Sequence, residues 1–252
     1  MSFASTTYGT IDMESAYISF GINKNGKVVM WLGDIAKLPE PEQYYLRSEN
    51  VPSDHSIGCE FYDGQIECIY TPLSREQTLF AARSAFFEAC AAKFGTKIAH
   101  LDAEVLDLAL GFNGPVIDSE QTRKQTADTL NRIYVESIDN GALGSIMTRA
   151  GLDPKNLGGL KRLQAALGTL ALGGDVASLL SPFFVLYDLR VAYSHLGSAD
   201  STVARLKTVT DRLGLEDGAG LLAIYDALAA ALTASLETLT TLVKSASGVS
   251  KT

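Results

Sequence analysis

The residues best placed to do chemistry stand close together in the run PFFVLYDLRVAYSHL, 182–196: Asp188, Arg190, Ser194 and His195. An imidazole titrates near neutrality and can take or give a proton. A planar guanidinium matches the oxygens of a phosphate and can stabilise charge that develops on them. Together they suit phosphoryl-transfer chemistry that needs no metal. Charged groups set among apolar neighbours also carry a desolvation cost, which calls for a reason.

The spacing allows that chemistry without forcing it. Arg190 and His195 are five residues apart, roughly 140° around an ideal helix, so they share a face only loosely. Arginine is long, and a helix that distorts or ends near Gly197 would let both tips meet at one phosphate. Asp188 and His195 are seven apart and lie on nearly one line. Two turns separate them, which is too far for a direct hydrogen bond but near enough to bias the local field. The competing reading is structural: Arg190 pairs with a nearby acid and His195 caps a helix end.

A helix must position these groups, and the flanks read as one. Pro182 suits a first helical turn, where its missing N–H is no loss. Leu186, Leu189 and Tyr193 follow on one face, with Phe183 a turn earlier. Asp175 or Ser178 could begin the segment instead, with Pro182 as a kink or restart.

Arg-x4-His on a late helix of an all-α domain, with Leu186-Tyr187-Asp188-Leu189 before it and Ser194 and Leu196 beside the histidine, resembles the HEPN superfamily. The resemblance spans 73–245 by architecture and roughly ten residues by motif. It implies a metal-independent endoribonuclease of a prokaryotic defence, abortive-infection or toxin system. In that chemistry a 2′-hydroxyl attacks the adjacent phosphorus and the 5′-oxygen leaves. Arg190 and His195 would be catalytic, with Asp188, Tyr193 and Ser194 orienting them or touching RNA. The resemblance also implies a composite site across a homodimer pairing the 182–196 helices, no cofactor, and an antitoxin or other defence-system protein as partner. One departure stands out: the position after the arginine, often polar in active members, is Val191. The alternative from another class is a catalytically silent helical module, for interaction or nucleotide binding, in a larger defence or regulatory assembly.

Composition bounds these readings. The chain has 252 residues, 46% of them apolar, enough for a sizeable core. Its net charge of −8 disfavours broad binding to nucleic acid or anionic membrane, so a nuclease would need a local basic cleft. No run of roughly 18 uninterrupted apolar residues and no amino-terminal signal pattern is present, so a cytoplasmic protein that does not contact membrane is expected. Three cysteines without a CxxC pair point to neither a disulfide framework nor a zinc site. His55, His100 and His195 are too scattered for a metal cluster. No phosphate loop, GxSxG or HExxH occurs. Glu136 and Asp139 read as ordinary surface patterning.

The fold expected is α+β, mainly α: a small antiparallel β-subdomain over 1–72, then an HEPN-like helical bundle over 73–252. Residues 1–14 read as a loose end. Strands at 17–22 and 27–32 flank an Asn-Lys-Asn-Gly turn. A second hairpin, 57–62 with 65–70, turns at Asp63-Gly64 and sets Cys59 opposite Cys68. Trp31 would anchor the sheet on the helices. A short helix covers 42–47. After Pro72, helices are expected from the Ser74 capping box to about Phe94, at 102–110, and from an Asp118 cap to about Asn140. Further helices fall within 141–155, 157–172, 198–213 and 220–244. The last carries the stripe Leu221, Ile224, Tyr225, Leu228, Leu232, Leu236, Leu239 and Leu242, read as core rather than dimer seam. Arg123, Lys124 and Arg132 read as a solvated basic face, and the polar tail from Ser245 as disordered.

Overall fold

The computed structural model describes residues 2–3, 7–13, 16–69, 73–194 and 198–246. It is mainly helical, with a small antiparallel sheet near the amino terminus. The chain divides into two units, Met1–Ser74 and Arg75–Thr252.

In the first unit, β1 (Ser2–Phe3), β2 (Tyr8–Met13), β3 (Ala16–Ile22) and β4 (Val28–Met30) lie in sequence order, each antiparallel to the next. The expected loose end therefore contains a strand: Tyr8 pairs with Gly21 and Ile11 with Ile18. Alternation along β3 buries Ile18 and Phe20 while Tyr17 faces water. The β3–β4 turn is tied by Asn23, whose side-chain oxygen accepts from the amides of Asn25 and Lys27. Its amide donates to Ser56 O at 2.7 Å, and Gly26 supplies the left-handed residue, with φ 74°. Two short helices follow, α1 (Leu32–Ile35) and α2 (Glu40–Ser48).

The hairpin expected around Asp63-Gly64 is absent. The segment winds instead as α3 (Glu60–Tyr62) and a π-helical turn, Asp63–Glu67, closed where the Ile69 amide donates to Asp63 O. A hairpin would have set Glu60 against Glu67, a like-charge cross-strand pair. The helical path instead turns Phe61 inward, 2% exposed. Phe61 and Cys59 then press on Gly21 so closely that a Cβ there would lie 2.6 Å from each, which explains the glycine. Cys59 is buried and Cys68 exposed, and both are free thiols. Trp31 is exposed and rests on Phe61 of its own unit, with ring centroids 5.6 Å apart. The tip of the expected strand at Tyr70, and Pro72, lie outside the described residues.

The second unit is the helical bundle: α4 (Arg75–Phe94), α5 (Asp102–Gly111), α6 (Glu120–Asn131), α7 (Asn140–Arg149), α8 (Gly159–Gly168), α9 (Val176–Leu179), α10 (Ser181–Ser194), α11 (Ala199–Leu213) and α12 (Leu221–Ser245). A second π-turn, Arg132–Glu136, continues α6. Ser119, not Asp118, caps α6, accepting from the Thr122 amide. Asp118 reaches across the chain instead and accepts from the Leu221 amide at 2.9 Å, capping α12. Asp175 caps the short α9, and the chain restarts at Pro182 as α10. The stripe on α12 packs into the core against α4, with Leu221, Ile224, Leu228, Leu232, Leu236 and Leu239 buried. By length and composition α12 could also cross a membrane.

Candidate functional site

α10 carries the motif, and its polar residues leave it on two sides. Phe183, Val185, Leu186, Leu189 and Ala192 are buried among the other helices, which fixes the rotation of α10 about its axis. Those apolar residues lie in the chain's own core. Tyr187 is the large apolar residue that α10 leaves exposed.

On the α6 side, Arg190 meets two carboxylates. Its Nε donates to Asp128 Oδ1 at 3.3 Å, and its Nη2 lies 3.5 Å from Glu136 Oε1. Ser194, one turn further along α10, donates its hydroxyl to the same Asp128 Oδ1 at 2.9 Å. Arg190 is partly exposed, so the cluster opens to solvent. Behind it stands Asn131, only 1% exposed, whose Nδ2 donates to Glu136 Oε1 at 2.8 Å. The Asn131 Oδ1 is buried with no partner among the described residues. A buried amide oxygen left unpaired is uncommon and costly.

On the α11 side, Asp188 accepts from Arg205 Nη1 at 3.2 Å and lies 3.5 Å from Arg212 Nη1. Asp188 therefore latches α10 to α11 and does not join Arg190. Tyr193 is half-buried beneath Arg123, whose guanidinium carbon is 5.9 Å from the ring centroid. Burial raises the Tyr193 phenol above its ordinary pKa. Arg123 is also bound by Asp118, and Lys124 by Glu120, so neither offers an unengaged cation. The Asp118 carboxyl is held low by Arg123 and by the Leu221 amide. His195 and Leu196, the end of the motif, lie outside the described residues.

Of the sequence candidates, the structure thus brings Arg190 and Ser194 together and separates Asp188 from them. Two further residues, Asp128 and Asn131, were not singled out in the sequence, and Glu136 read there as ordinary surface patterning. Glu136 in particular is no plain surface acid, because it faces Arg190 and Asn131. The signal was present but disguised. Asp128 and Asn131 share a helix face at i, i+3, and a π-turn brings Glu136 over Asn131.

Among the described residues no cluster of three or more metal-ligating side chains occurs. The chain matches no protein-family model, no curated protein and no solved structure.

Proposed function

We propose that the bundle is an HEPN-like, metal-independent endoribonuclease domain of a prokaryotic defence or toxin system, acting in the cytoplasm. One observation carries the reading. Arg190 is held partly exposed by Asp128 and Glu136 on the helix that carries Ser194, with His195 the next residue in sequence after that serine. A guanidinium oriented in advance at a solvent-facing site is suited to stabilising charge on phosphate oxygens. In the proposed step the RNA 2′-oxygen bonds to phosphorus and the P–O5′ bond breaks. His195 of one copy takes the 2′-hydroxyl proton, and the imidazolium of a second copy gives a proton to the departing 5′-oxygen. The products are a 2′,3′-cyclic phosphate and a 5′-hydroxyl. A homodimer supplies the two histidines, and an antitoxin or other defence-system protein restrains the enzyme.

Labelled RNA incubated with the purified chain in excess chelator tests this. Cleavage that leaves cyclic-phosphate ends is expected. Its absence, or its dependence on added metal, would reject the mechanism.

A second reading has its own support. The Arg190 triad holds one cation against two carboxylates, a net charge of −1, within a chain of net charge −8. Such a site repels phosphate unless one carboxylate releases the guanidinium or protonated His195 adds its charge. With neither, the domain is a silent interaction or nucleotide-binding module, which would show no cleavage and no difference between wild type and Arg190→Ala.

A further inference from the structure

In the bundle, the π-turn after α6 departs from regular helix beside Arg190. In an uninterrupted α-helix Glu136 would sit roughly 140° around the axis from Asn131, and Val135 would take the place on their shared face. The Ser137 amide donates instead to Arg132 O, five residues back, at 3.2 Å. That extra residue in the turn brings Glu136 over Asn131, whose Nδ2 grips Oε1 at 2.8 Å. The same oxygen is the one nearest Arg190 Nη2.

Considerable machinery holds this turn. Arg83 of α4 is 5% exposed and spends its guanidinium there: Nε donates to Ile133 O and Nη2 to Ser137 Oγ, both at 2.8 Å. The Ser137 hydroxyl in turn donates to Ile133 O at 2.6 Å. Phe87 covers the other side of the guanidinium, 4.6 Å from ring centroid to Cζ. His100 Nε2 contacts Glu136 O at 3.0 Å, and a single antiparallel bridge between Ala99 and Ile138 fixes the chain just beyond. A π-turn is strained relative to α-helix and tends to persist where it serves a site. Here a buried cation, a histidine and a bridge converge on one, and the residue it redirects is the carboxylate at Arg190.

We propose that Glu136 is a positioning residue for Arg190, and that the Arg83-clamped π-turn is the register device that delivers it. Asn131 fixes the carboxylate, and the carboxylate restrains the guanidinium. The consequence for catalysis rests on the ribonuclease reading, whereas the restraint on Arg190 does not.

The test therefore reads two quantities on the same proteins: rotation of the Arg190 guanidinium about its Nε–Cζ bond, by NMR of isotopically labelled chain, and cleavage of labelled RNA. Slow rotation is expected in wild type. The swap Val135→Glu/Glu136→Val keeps composition and charge but moves the carboxylate to the place an α-helical register would use. It should speed rotation about tenfold, because the charge-assisted contact is lost. Glu136→Ala, checked for folding by circular dichroism because it also takes the acceptor from the Asn131 amide, should do the same. Rapid rotation in wild type, or rotation unchanged in Glu136→Ala or in a folded swap variant, would overturn the proposal. If wild type shows no cleavage while rotation responds as expected, the ribonuclease reading falls and the positioning of Arg190 by Glu136 stands.

Discussion

Two ion triads flank the same helix and mirror each other in charge. On the α6 side one arginine, Arg190, meets two acids, Asp128 and Glu136. On the α11 side one acid, Asp188, meets two arginines, Arg205 and Arg212. Their surroundings differ. The Asp188 triad joins two helices directly, and among the described residues the Asp188 carboxylate pairs with Arg205 and Arg212 alone. The Arg190 triad is backed by a buried asparagine with an unpaired oxygen, shares an acceptor with Ser194 and depends on a clamped π-turn. Partly exposed ion pairs are worth about 1 kcal/mol at most, so the Asp188 latch contributes modestly and the two triads differ mainly in what surrounds them. The unpaired amide and the π-turn are costs, and their concentration on one side is what makes that side the candidate site.

The sharpest way to break this contrast is to remove each centre in turn. Arg190→Ala should lower RNA cleavage by about a hundredfold or more, as loss of a transition-state donor does, with helical circular dichroism unchanged. His195→Ala should do likewise. Asp188→Ala should leave cleavage close to wild type. Equal losses in Arg190→Ala and Asp188→Ala would erase the distinction between the two sides.

The next effect is structural and one-sided. Arg83→Met leaves the buried Ser137 oxygen without its Arg83 donor and Ile133 O with the Ser137 hydroxyl in place of two donors, and should lower unfolding free energy by about 2 kcal/mol in urea titration. It should also release Arg190 while leaving the Asp188 latch intact. A variant as stable as wild type would show that the clamp does little.

Smaller again is the latch itself. Asp188→Ala leaves Arg205 and Arg212 facing each other, and about 1 kcal/mol of stability should go, less at high salt because the pair is partly exposed. No change in the unfolding midpoint at low salt would remove the α11-side role.

The smallest expected effect is on pH, beside the Arg190 side. The Asp118 carboxyl is held below its ordinary value of 3.8 by Arg123, with the Leu221 amide adding to it. A depressed carboxyl contributes stability that is present above the unfolded value and is lost as pH falls through the folded one. Acid unfolding below about pH 4 should therefore be less steep in Asp118→Asn than in wild type. Identical acid profiles would show that Asp118 does not couple α12 to Arg123.

Much of the bundle was legible in the sequence. Ser74 and Gly95 bracket α4, the leucine stripe predicts a buried α12, and Ser198 with Gly214 bounds α11, because caps and the helical period are local signals. What stayed hidden depends on distant contacts. Asp118 looks like a cap for the helix beside it, but caps one about a hundred residues later. Asp63-Gly64 is a strong hairpin signal that burial of Phe61 and the Glu60–Glu67 conflict override. Arg190 could be singled out because its motif is contiguous. Asp128 and Asn131 lie far from it in sequence. Glu136 is masked further by the π-turn, since a reading at about 100° per residue puts it roughly 140° from Asn131. The two sides of α10 could not be told apart at all without knowing which helix packs on which.

On the proposed reading, the Arg190 side of α10 does chemistry and the Asp188 side does not. The most direct measurement is side-by-side cleavage of labelled RNA in excess chelator by wild type, Arg190→Ala and Asp188→Ala at matched folded concentration. The account predicts cyclic-phosphate products from wild type and Asp188→Ala and none above background from Arg190→Ala. Cleavage by Arg190→Ala at the wild-type rate, or no cleavage by wild type, would contradict it.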